Sequence, residues 1–211
     1  MTLDIHVPAG STGHGPLTVD ISADDAGWTY CGLRVAVLEA GESLALDTGD
    51  DELLVLPLAG GVDVETGGEV HRLTGRSGVF EGITDSLYVP RRTAMTLTSA
   101  AGGRFALPAA IAERDLPVRH LGRDRVRTDL RGAGDCSRQV NNYALNNGVE
   151  TSHLLCCEVL TPGGNWSSYP AHKHDRRGAD ERELEEIYYF EIASSPAGDP
   201  GFGLHRTYAS D

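Results

Sequence analysis

Residues 28–73, WTYCGLRVAVLEAGESLALDTGDDELLVLPLAGGVDVETGGEVHRL, decide the fold. Three β-type runs, WTYCGLRVAVLEA, ELLVLPLAG and GVDVETGGEVHRL, are parted by glycine and aspartate, and Gly67-Gly68 between VDVET and EVHRL is a hairpin signal. The pattern continues through SGVFEG, SLYVP, TAMTLTS and GRFALP, with Pro90 closing one strand and Gly102-Gly103 separating two more. Turns at this spacing suit a sandwich or barrel of antiparallel strands.

Composition agrees. Glycine supplies 26 of 211 residues, about 12% against a usual ~7%, with no G-X-Y period. Hydrophobic residues make up 40% and charged residues 23%, which describes a globular chain with enough length for one large or two small domains. The net charge of −13 and a pI of about 4.9 argue against nucleic acid and anionic lipid surfaces as partners. The first residues, MTLDIHVPAGSTGHGP, have neither a basic start nor an apolar core, and no run approaches a membrane span, so a cytoplasmic location is expected. The cysteines Cys31, Cys136, Cys156 and Cys157 lack C-x-x-C spacing and read as buried free thiols.

A second β series follows an Arg-rich stretch of different character. It begins at SRQVNNYAL, runs through SHLLCCEVLTPGGNWSSYPAHKH, and resumes as EEIYYFEI and GFGLHRTY. The organisation expected is a first unit over residues 1–115, an Arg-rich connection over 116–135, and a second unit over 136–211 that looks unfinished at its carboxyl end.

The chemistry concentrates in residues 162–192, PGGNWSSYPAHKHDRRGADERELEEIYYFEI. His172 and His174 are separated by one residue, so on an extended segment both imidazoles face one way and Lys173 the other. Two such histidines suit one divalent ion of the Zn, Mn, Fe, Co or Ni kind, which a carboxylate would complete while leaving positions open for substrate. On the strand that follows, Glu186, Tyr188 and Phe190 share a face, whereas Glu185 lies with Ile187 and Tyr189 on the other.

The words PGGNWSSYPAHKHD, LEEIYYF and GFGLHRTY resemble the cupin metal motif. More narrowly they resemble the 5-deoxy-glucuronate isomerases of myo-inositol catabolism, which are related to the 4-deoxy-L-threo-5-hexosulose-uronate ketol-isomerases of pectin breakdown. The general cupin motif has three or four residues between the second histidine and the glutamate. Here residues 175–185 fill that gap, an acidic insert that the narrower family shares and that has room for a turn or two of helix.

The resemblance implies an all-β bicupin of two tandem antiparallel barrels, the second incomplete. It implies that His172, His174 and Glu186 are metal ligands, with donor atoms about 3 to 4 Å apart as ligands ~2.0–2.2 Å from one ion must be. A fourth, histidine ligand is expected beyond residue 211, and the 211-residue form is expected to be a poor catalyst. The first unit, reading ALDTGDDEL and VPRRTAM at the corresponding places, is expected to hold no metal.

The implied activity is a metal-dependent aldose–ketose isomerisation of 5-deoxy-D-glucuronate to 5-dehydro-2-deoxy-D-gluconate, with a uronate-like sugar acid as the partner and a homo-oligomer allowed. Tyr188 is the candidate to donate or relay a proton. Two other classes compete: a sugar-acid-binding or scaffold protein without catalysis, and a non-haem iron dioxygenase, which two histidines and a carboxylate also describe. Further candidates are Trp166 and Tyr169 as a stacking platform and Arg138 or Arg206 for a substrate carboxylate. Arg91 or Arg92 is a candidate for a small molecule on the first unit, His205 for a substitute ligand, and Asn141, Asn142, Asn146 and Asn147 for substrate hydroxyls. His153 reads as a strand histidine with a hydrogen-bond partner.

Overall fold

The computed structural model describes residues 5–145 and 148–208. It is nearly all β, with antiparallel pairing throughout. The strands of the first unit are β1 (Leu17–Ile21), β2 (Cys31–Leu38), β3 (Glu42–Asp47), β4 (Asp51–Thr66), β5 (Glu69–Arg76), β6 (Ser86–Val89), β7 (Ala94–Ser99) and β8 (Gly103–Ile111). Between β1 and β2 a single turn of helix, α1 (Ala23–Ala26), is closed by a Ser22–Asp25 capping box.

The long strand β4 organises this unit because it belongs to two layers. Its first half pairs with β6 and β8, in the order β1-β2-β8-β4-β6, and its second half pairs with β5 and β7, with β3 outside β7. The change of layer falls at Gly60, whose φ of +83° and close approach to the backbone at Gly102 exclude a side chain.

Alternation along β2, β4, β6 and β8 explains why ELLVLPL is almost continuously apolar. Leu53, Val55, Leu87, Val89, Phe105 and Leu107 face a core shared with β5 and β7. Leu33, Val35, Leu54, Leu56, Tyr88 and Ala106 face the other way, into a second core containing Leu121, Val126, Tyr143, Ala144 and Leu154. The central sheet is thus buried on both faces, where period-2 polarity disappears.

Part of that second face is covered by a three-stranded sheet of β10 (Arg127–Arg131), β11 (Arg138–Ala144) and β12 (Cys156–Leu160). The Arg-rich stretch carries strands of its own. It supplies β9 (Arg119–Leu121), which pairs with β6, and then β10. Conversely, SGVFEG forms a turn, and no strand is assigned beyond Leu160 among the described residues. EEIYYFEI and GFGLHRTY, expected as strands, have no assigned strand and flank a turn tied by Ser195 and Asp199. Side-chain links to the first unit, rather than ladder hydrogen bonds, hold the first of them.

Carboxylates make those links, at Glu185 and Glu191, and tie down the residues around β12 as well. Buried Glu52 of β4 accepts the amides of Ser152, His153 and Leu154 at 2.7, 2.6 and 2.7 Å and the Tyr88 hydroxyl at 2.7 Å. Glu158 of β12 meets the buried Arg76 guanidinium at 2.5 and 3.0 Å, and Glu191 accepts from Arg104 at 2.8 Å. Among the described residues no helix is long and apolar enough to cross a membrane.

Candidate metal centre

The loop after β12 carries His172 and His174 beside Glu186 from the segment that follows the acidic insert. One ligand atom from each lies within 4.8 Å of the other two. His174 Nε2 stands 3.9 Å from Glu186 Oε1, and the two imidazoles meet edge to face with centroids 5.1 Å apart. Two atoms each ~2.1 Å from one ion are at most about 4.2 Å apart, so the group is a few tenths of an ångström wider than a closed shell. His172 and Glu186 are exposed side chains free to make that adjustment. The donor set and its spacing fit a divalent cation.

The orientation of His174 is set from outside the group. Its Nδ1 lies 2.9 Å from the Arg182 carbonyl, and its own carbonyl accepts the Leu184 amide at 3.0 Å. With the proton on Nδ1, shared with that carbonyl, the lone pair of Nε2 faces Glu186, the arrangement metal-binding histidines commonly use. The insert that provides these contacts is not helical. It folds on itself through an Arg176–Glu181 ion pair of 2.7 Å and the Gly178 amide on the Glu181 carbonyl, leaving most of its charges in solvent. Gly178 and the like charges of ADERELEE disfavour helix here.

Glu185 and Lys173 turn away from the group. Lys173 pairs with Asp175 at 3.4 Å, and Glu185 accepts the amides of Thr29, Tyr30 and Cys31. Burial works to raise the Glu185 pKa, but those three N–H groups hold it below the ordinary glutamate value. Period-2 alternation thus survives from Glu185 to Phe190 without a strand ladder.

Tyr188 donates to both Glu186 oxygens at 3.2 Å and stacks on Phe190 with centroids 5.9 Å apart. Burial, with the Glu186 charge and its hydrogen bond, pushes the phenol up to about 12, so it is protonated at neutral pH. His205 packs against Tyr188 and Phe190 with its Nε2 on Thr207, outside the ligand group.

The other sequence candidates are dispersed. Asn141 and Asn142 lie on β11, not in a turn, and are buried. Asn141 bonds Glu158, Thr128 and Gln139, while Asn142 bonds Asp129 and the Arg127 carbonyl. Asn146 and Asn147 fall outside the described residues. Trp166 and Tyr169 are exposed, 6.2 Å apart, and line a cavity of about 270 Å³ with Asp135 and Cys136.

Arg138 bonds the Cys136 carbonyl, Arg206 lies over Tyr208, Arg91 pairs with Asp115, and Arg92 pairs with Asp50. His153 sits in a loop rather than a strand, with Nδ1 at 2.8 Å from the Ile111 carbonyl. All four cysteines are free, but Cys157 is exposed and the rest are only partly covered, since Cys31 and Cys156 open strands and Cys136 sits in a 3-10 turn.

Arg131 has no signal in the sequence that separates it from its neighbours. It ends β10, pairs loosely with Asp129 at 3.5 Å, and is half-exposed. The ladder register sets Arg131 and Cys157 on one face of the second sheet, and the Cys157 thiol, pushed up chiefly by desolvation of its sulfur, is drawn down by Arg131 and raised by Glu186.

Comparison with known proteins bears on the whole chain. The family model described as the KduI/IolB family matches residues 5–211. A 5-deoxy-glucuronate isomerase from Geobacillus thermodenitrificans is 36% identical over 196 residues, covering 92% of this chain and 70% of that protein. One from Geobacillus kaustophilus is 34% identical over 210 residues, covering 97% and 74%. The crystal structure of an IolB-like protein from Salmonella typhimurium superposes with a TM-score of 0.75 at 32% identity. That match covers 81% of this chain, which spans 65% of the other.

Proposed function

Because this chain belongs to the KduI/IolB family and is an isomerase of that family, we propose that it converts 5-deoxy-D-glucuronate into 5-dehydro-2-deoxy-D-gluconate. The reaction is metal-dependent, and His172, His174 and Glu186 hold the ion. The observation that carries this reading is their convergence within 4.8 Å, with His174 aimed by the Arg182 carbonyl. We read residues 136–211 as the metal-bearing unit of a bicupin, residues 116–135 as its connection, and residues 1–115 as the metal-free partner unit.

The chemistry requires a proton to leave the carbon beside an aldehyde and to return to the former carbonyl carbon. A divalent ion bound here supplies Lewis-acid polarisation of neighbouring carbonyl and hydroxyl oxygens, worth several kcal/mol. The chain's own groups have the remaining roles. Glu186 is committed as a ligand. Tyr188, protonated at neutral pH and bonded to Glu186, donates or relays a proton to a substrate oxygen, the kind of step that adds ~10²- to 10⁴-fold. Arg131 is assigned to the substrate carboxylate, for which a planar guanidinium offers two parallel hydrogen bonds.

The test is conversion of 5-deoxy-D-glucuronate followed by proton NMR, with protein stripped by chelator and then resupplied with Mn, Zn, Fe, Co or Ni. Ketose formation that is lost on stripping and returns with one of these ions supports the proposal. Binding of the sugar acid without conversion under any ion moves the chain to the binding-protein class.

A further inference from the structure

Glu186 is exposed and has no ladder hydrogen bonds to fix it, yet both of its chain neighbours are anchored to the first unit. Glu185 reaches three consecutive amides, Thr29, Tyr30 and Cys31, at 2.8, 2.8 and 2.9 Å. Ile187 packs on the core shared by the two units. A carboxylate that engages three N–H donors with both oxygens is fixed in position and in plane. In an extended chain the next side chain points the opposite way, so fixing Glu185 also fixes the direction in which Glu186 leaves the backbone.

We propose that Glu185 is a positioning residue for the metal-binding carboxylate. By gripping the amides at the start of β2 it sets the register of the segment and delivers Glu186 to His172 and His174. The first unit, expected to hold no metal itself, thereby contributes backbone donors that shape the metal site of the second. This rests on the reading of His172, His174 and Glu186 as ligands. A contact that orients a ligating group in this way is typically worth ~10- to 100-fold in metal affinity.

Two simpler roles have to be separated from positioning. Glu185 is an anion near the site and so attracts a cation from any geometry, and it is one of several ties between the units. Glu185→Asp keeps the charge but is one methylene too short to reach all three amides. Glu185→Gln keeps the length and one good acceptor oxygen but loses the charge. Arg104→Ala removes a neighbouring tie, the Glu191 ion pair, and leaves Glu185 intact.

The experiment is titration of the metal-free chain and these variants with cobalt(II) chloride, read by d–d absorption. Thermal unfolding of each metal-free protein fixes a titration temperature at which all are folded. Wild type should bind one ion. Glu185→Ala and Glu185→Asp should each weaken binding by about 10- to 100-fold, Glu185→Gln by less, and Arg104→Ala by under about threefold. If Glu185→Ala is too unstable to titrate, the Asp and Gln variants decide.

Wild-type affinity in Glu185→Asp together with loss in Glu185→Gln would assign the effect to charge and overturn the proposal. So would equal loss in Arg104→Ala, or unchanged affinity throughout the Glu185 series. Absence of cobalt binding by wild type would instead overturn the ligand assignment on which the proposal stands.

Discussion

Replacing Glu52 with alanine should destabilise the chain by about 4 kcal/mol. The carboxylate is fully buried and accepts the amides of Ser152, His153 and Leu154 and the Tyr88 hydroxyl, all at 2.6 to 2.7 Å. Ser152 and His153 lie in a loop where water can replace the lost acceptor. Leu154 and Tyr88 are in the core, and an orphaned buried donor costs roughly 1–3 kcal/mol. The void left by the side chain adds about 1 kcal/mol, consistent with the usual cost of removing buried methylenes. Against a total stability of roughly 5–15 kcal/mol such a loss is large.

Glu52→Gln, which keeps the volume and one acceptor oxygen, should lose only about 2 kcal/mol. Urea unfolding followed by fluorescence reads the effect in both units, because Trp28 precedes β2 and Trp166 follows β12. The midpoint should fall with the slope unchanged. A loss under about 1 kcal/mol in Glu52→Ala would refute the reasoning, since it would mean that the buried donors find other partners at little cost.

Other expectations concern pH and the reaction. Burial alone would raise Asp85, but the amides of Gly75 and Thr74 hold its pKa below 3.8, so its contribution to stability is fully present above that value. The contribution is lost as pH falls through the depressed folded value. Asp85→Asn should therefore lower stability at pH 6 and flatten the loss of stability below about pH 4, as measured by urea midpoints across that range. Tyr188→Phe, assayed with the ion at saturating concentration, should reduce kcat by at least about tenfold; a kcat within twofold of wild type removes Tyr188 from proton transfer. Arg131→Ala should raise KM about tenfold with kcat little changed, and an unchanged KM would place the substrate carboxylate elsewhere.

The parts legible in the sequence are those with local periodicity. ELLVLPL, AMTLTS and GRFALP form strands in the expected places, and the H-x-H spacing and the Glu186, Tyr188, Phe190 face persist although their segments have no assigned strand. β1 is short, β3 is an edge strand with no buried residue, and β9 and β10 lie in an Arg-rich text where charges on an exposed edge mask the two-residue period. The ties between units were illegible for a different reason. Glu52 meets residues about one hundred positions away, and Glu185 meets amides more than one hundred and fifty away, and a backbone N–H donor leaves no mark in its own residue type. One signal was available: a charged residue opening a strand buried on both faces needs a partner, and Glu52 is such a residue.

The central claim is that His172, His174 and Glu186 together form one metal site. Its most direct test is equilibrium dialysis of the chelator-stripped chain against a divalent ion, with bound metal counted per folded chain for wild type and for His172→Ala, His174→Ala and Glu186→Ala. One ion per wild-type chain, lost or at least tenfold weaker in each variant, is the predicted result. Full occupancy retained in all three variants, or none in wild type with any of the five candidate ions, would contradict it.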